Sequence, residues 1–119
     1  MLGKIVNSDN IVGVEVRSDL GEKLGKIEAI MLDKLHGRIA FVILSLGGFL
    51  RGCDKRFALP WSLISFDNSM DCFKIKIKKE ILEKSPYFDK DHWPNMSDLA
   101  WTNSIYNYYR VNIRYPDQH

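Results

Sequence analysis

Two cysteines, three histidines and four prolines are few for a chain of 119 residues, and each scarcity closes off a class of chemistry. Cys53 and Cys72 form no CxxC pair and have no histidine pair nearby, so neither a zinc site nor a redox dithiol is spelled out. Free thiols in a cytoplasmic protein are the expectation. His36, His92 and His119 are scattered without spacing-matched partners and read as solvated side chains, not bases or ligands. Asp33 and Asp54 read as a strand end and a loop cap, not as an acid pair. Gly47, Gly48 and Gly52 are not followed by the GK[ST] of a phosphate-binding loop. A surplus of one charge is also missing. Seventeen basic residues face fifteen acidic ones, a net charge of +2, which provides no strong field for a phosphate backbone. No apolar run approaches the roughly 20 residues that span a bilayer, and MLGKIVNSDN lacks the apolar core of a secretion signal. The expectation is therefore no catalytic, metal-binding or cofactor-binding residue, no small-molecule substrate, no membrane insertion and a cytoplasmic location.

What the chain does contain is a hydrophobic content of 45%, enough for one small core. Ile39 to Leu46 is apolar apart from Ser45 and rich in β-branched and aromatic residues, which predicts a strand covered on both faces. Gly47-Gly48 stops it, a loop then carries Phe49 and Leu50, and Arg56 to Leu59 resumes as a strand that Pro60 ends. Upstream, Val12, Val14 and Val16 alternate with polar residues as one strand. Asp19 to Glu22 makes a hairpin connection, and Lys26 to Asp33 forms a second strand with a bulge near Ala29. His36-Gly37 is a tight turn. Downstream, Trp61 to Ile64 makes a short turn, Phe66 belongs to a minor strand, and Asp67 to Ser69 turns the chain again. Phe73, Ile75 and Ile77 then alternate with Lys74, Lys76 and Lys78 as a half-exposed strand, its lysines suited to a sheet margin. Lys79 to Lys84 is a short helix that Ser85-Pro86 ends.

From Tyr87 onward the composition changes: all five tyrosines and two of the three tryptophans lie here. Ser97 is the expected N-cap of a helix with Asp98 in its first turn. Trp101, Ile105 and Tyr108 then fall on one face, and Val111 to Tyr115 follows as an extended segment. So aromatic a tail is expected to dock, either on its own barrel or on a partner subunit's.

GEKLGKIEAIMLD (Gly21 to Asp33), GRIAFVILSLGGFL (Gly37 to Leu50), DKRFALPWSLI (Asp54 to Ile64) and PYFDKDHWP (Pro86 to Pro94) follow one another in an order that resembles the PRC-barrel family. This family takes its name from the photosynthetic reaction centre and includes the bacterial ribosome maturation factor. The likeness is to the stand-alone bacterial type, and the sequence departs from the family's loop at Arg51 and Cys53. The resemblance implies a mainly β fold, a small six-stranded antiparallel barrel with a short helix. The barrel domain is placed at 8–86 and an aromatic helical or extended C-terminal extension at 87–119. It further implies a non-catalytic interaction or assembly module that binds protein and self-associates as a homodimer. Ribosome or RNA association is the alternative, resting on the lysine strand. Candidate partner-binding residues are Gly47, Gly48, Phe49, Leu50 and Arg51 on the loop, Trp61 beyond it, and Trp93, Trp101 and Tyr108 in the extension. For Trp61 alone, plugging the barrel end is the favoured role.

Overall fold

Phe41, Val42, Ile43 and Leu44 are all buried, and the sheet is laid out on both sides of them. The computed structural model describes residues 5–46 and 54–112. Its strands are β1 (Glu15–Ser18), β2 (Lys23–Asp33), β3 (Arg38–Ser45), β4 (Lys55–Pro60), β5 (Ile64–Asp67), β6 (Cys72–Ile75) and β7 (Phe88–Asp89), with helices α1 (Lys79–Glu83) and α2 (Leu99–Asn112). They form one seven-stranded sheet in the order β5-β6-β1-β2-β3-β4-β7. Six antiparallel strands closing into a cylinder were expected; the sheet is mixed and has two ends. The pair β1–β6 is parallel, and no pairing joins β5 to β7 among the described residues. Alternation reports which face a side chain takes but not which way a strand runs beside its neighbour, and a two-residue β7 is too short to carry a pattern. The sheet is nonetheless barrel-like. Trp61, directly after β4, has its ring 6.1 Å from that of Phe73 in β6, although β1, β2 and β3 lie between those strands.

Register sorts the side chains into two sets. Across β2, β3 and β4, Ile27, Leu44 and Phe57 are paired, and Val42 is paired with Leu59. Val16 in turn opposes Phe73. These residues line the concave interior. Phe41 opposes Met31 and Pro60, and Ile43 opposes Ala29 and Ala58, on the other face. β3 is apolar on both sides because both sides are covered.

The bulge foreseen near Ala29 lies between Ile27 and Ala29, and a second falls between Met31 and Leu32. Leu32 is left exposed. Gly37 takes φ +66° in the β2–β3 turn, a left-handed conformation that glycine adopts without strain. Gly25 is required for space: a Cβ there would sit 2.2 Å from the carbonyl oxygen of Ser45. It lies where β2 passes from pairing with β1 to pairing with β3.

Several local expectations need correction. Val12 is not in a strand but in a turn, 46% exposed, because Gly13 breaks the extended run with φ +92°. The strand expected to run on to Lys78 stops at Ile75, so β6 carries only Lys74 of the lysine row, and it is internal; the edges are β5 and β7. Asp98, not Ser97, caps α2, its Oδ1 accepting the Ala100 N–H at 3.0 Å. Asp98→Ala is expected to cost about 1 kcal/mol in urea unfolding, whereas Ser97→Ala should be silent. The helix also continues through Val111 and Asn112, where an extended segment was expected.

Candidate interaction surface

The outer face of β3 and β4 meets α2. Trp101 packs edge-on against Phe41 with centroids 5.5 Å apart, and Tyr106 lies 5.3 Å from the same ring. The Tyr106 hydroxyl donates to the Ala40 carbonyl at 3.2 Å, and burial raises its pKa. One turn on, Ile105 and Tyr109 are buried in the same core as the sheet residues. Trp101, Ile105 and Tyr109 follow i, i+4, i+8, so the stripe is that of an amphipathic helix laid on an apolar sheet. The opposite side of α2, with Asn103, Ser104, Asn107 and Arg110, is exposed and polar.

Tyr108 stands at the edge of this stripe. Its ring is 5.1 Å from that of Tyr109, and its hydroxyl lies 3.3 Å from Ser85 Oγ. Trp61 packs into the concave side against Phe73. Trp93 is 40% exposed, its Nε1 donating to the Lys90 carbonyl and its ring 5.0 Å from Phe88. The proposed aromatic set is therefore divided among separate contacts and does not form one patch. Gly47, Gly48, Phe49, Leu50 and Arg51 lie outside the described residues. Tyr106 and Tyr109 were missed. The i, i+4, i+7 reading took Tyr108, and extending the spacing to i+8 finds Tyr109.

Among the described side chains of the helix, Tyr109 is the deepest and the least comfortable. Its Oη is buried and has no hydrogen-bond partner among the described residues. Burial pushes the phenol pKa well above its ordinary value, offset only in part by nearby Ser85. The Ser85 hydroxyl itself donates to the Ile81 carbonyl at 2.9 Å, and no hydrogen-bond geometry joins it to Tyr109. The unfolded chain releases the phenolic proton from about pH 10 upward, while the folded chain retains it. Stability is therefore insensitive to this group below about pH 10 and falls as pH rises beyond it. Urea midpoints measured from pH 8 to 11 should drop, and Tyr109→Phe should flatten the decline.

The other candidate groups are held in local pairs. Asp33 Oδ2 lies 2.9 Å from His36 Nδ1, and the Asp33 carboxyl pKa is lowered chiefly by this contact. Lys74 Nζ is 3.0 Å from Asp67, which raises the lysine pKa and draws one member of the lysine row into an ion pair. An open cleft of about 380 Å³ beside α1 is lined by Leu20, Glu22, Lys78, Lys79, Glu80 and Glu83, a mixture of charges that favours no ligand class. Cys72 is a buried free thiol. Among the described residues, no three potential metal ligands cluster, and no helix is long and apolar enough to cross a membrane.

No curated protein matches the chain. The family model described as PRC-barrel domain matches residues 4–82, which takes in β1 to β6 and most of α1 and leaves α2 beyond its end. With well over half of its length matched in this way, the chain belongs to the PRC-barrel domain family.

Proposed function

We propose that this protein is a non-catalytic interaction and assembly module of the cytoplasm that self-associates, and that its docking surface is the outer face of β3 and β4. One observation supports this reading above the others. The sheet carries a second apolar face besides its interior, and that face binds an aromatic helix through Phe41 and the Ala40 carbonyl. A sheet that needed only an interior core would present polar side chains there. The position of α2 outside the family match adds to this, since the covering helix is additional to the domain the family shares. RNA association draws less support, because Lys74 is paired with Asp67 and Arg17 and Lys23 are paired with Glu15.

Light scattering from micromolar to several hundred micromolar protein tests the reading. A mass that rises toward twice 13.8 kDa is expected, and a constant monomer over that range would defeat it. Salt-dependent RNA retention that vanishes when Lys74, Lys76 and Lys78 are reversed in charge would move the assignment to the alternative, a ribosome- or RNA-associated accessory factor.

A further inference from the structure

Helix α2 combines a good fit with one fault. Trp101, Tyr106 and Ile105 are well placed on the sheet, yet the same stripe buries the Tyr109 hydroxyl without a partner among the described residues. A buried donor left unmet eases release of the helix, because the same hydroxyl is hydrogen-bonded to water once the helix lifts away, and it burdens docking on its own and on a second copy equally. The connector packs through Met96 and Trp93 but has few hydrogen bonds to the sheet. Among the described residues, the hydrogen bonds of 93–98 run only to residues within six positions along the chain, such as Asp98 N–H to Asn95 O and Thr102 Oγ1 to Met96 O. None ties this segment to a strand of the sheet beyond β7. Lifting α2 would bare Phe41 and its neighbours, an apolar face that water does not tolerate and that must be covered again.

We propose that α2 exchanges between copies: it leaves the outer face of its own sheet and docks on the same face of a second copy, whose α2 returns the contact. The occupant is identified by demonstrated fit, since the groove that takes Trp101 at Phe41 and Tyr106 at Ala40 is identical in every copy. A reciprocal exchange fills both grooves and closes the assembly at two. The proposal rests on the self-association reading above and specifies its route.

The test uses the full chain and a fluorescent peptide of residues 97–112, followed by anisotropy. Saturable binding is expected, and Trp101→Ala in the peptide should abolish it. Tyr109→Phe in the protein should weaken peptide binding about tenfold, because the resident helix then holds its own groove more tightly. Tyr109→Phe in the peptide should strengthen binding by about the same factor. The opposite signs are diagnostic, since a peptide adhering elsewhere would ignore the protein-side change. Absence of saturable binding, or indifference to Tyr109→Phe in the protein, overturns the exchange. A protein that is dimeric by light scattering but takes up no peptide defeats exchange alone and leaves self-association standing, whereas a strict monomer defeats both.

Discussion

Gly25→Ala is expected to cost about 4 kcal/mol or more and to leave little folded protein at 37 °C. The added methyl would stand 2.2 Å from the Ser45 carbonyl oxygen, 3.1 Å from its carbon and 3.2 Å from the Leu44 side chain. The first two are backbone atoms of β3, the strand buried on both faces, and cannot swing aside as a surface side chain can. Relief therefore requires β2 and β3 to separate where Lys26 pairs with Ser45. Ordinary overpacking costs about 1–3 kcal/mol, and a clash with core backbone belongs above that range. A domain of this size has about 5–15 kcal/mol in total. Gly37→Ala provides the contrast: nothing lies within 4 Å of its added Cβ, and the penalty comes only from φ +66°, about 1 kcal/mol. Urea unfolding of the two variants measures the difference. Equal losses would show that close approach of β2 and β3 is not what excludes a side chain at Gly25.

The second large effect concerns Tyr109, and its two variants should move in opposite directions. Tyr109→Ala removes a wholly buried ring from the core that α2 shares with the sheet and should cost about 3–5 kcal/mol. Tyr109→Phe keeps the ring and deletes a hydroxyl that has no partner among the described residues, so stability should rise by about 1 kcal/mol. Denaturant midpoints at pH 7 decide the matter. Loss of stability in the phenylalanine variant would mean that the hydroxyl is bonded after all, and the weak point assigned to α2 would disappear.

Punctuation was readable at several turns, though not at Gly13. His36-Gly37, Asp67 to Ser69 and Ser85-Pro86 each end an element near where the residues predict, because a turn depends on the conformational range of two or three neighbours. The run at β3 was readable for the same reason. Eight successive residues with one polar interruption leave no solvent face in a strand. Relations between distant segments were not. The parallel seating of β6 beside β1 places Phe73 opposite Val16, residues whose own alternation would be the same in either direction. The N-cap slipped from Ser97 to Asp98 because both side chains can accept the bond, and packing of Trp101 and Ile105 selects the register. The separation of Trp61, Trp93, Trp101 and Tyr108 followed from which strand each one reached, which aromatic content does not encode.

Short strands around a doubly apolar segment, followed by a ring-rich helix, were legible in the order of residues, since period and turn chemistry act over a few positions. What covers the outer side of that segment, and that the covering helix buries a phenol with no partner among the described residues, emerges from the packing of distant elements. Periodicity states that a face is apolar but not which other face it meets. Whether a polar atom finds a partner depends on groups tens of residues away, as with Ser85, whose hydroxyl approaches Tyr108 while that of Tyr109 has no hydrogen-bond partner among the described residues.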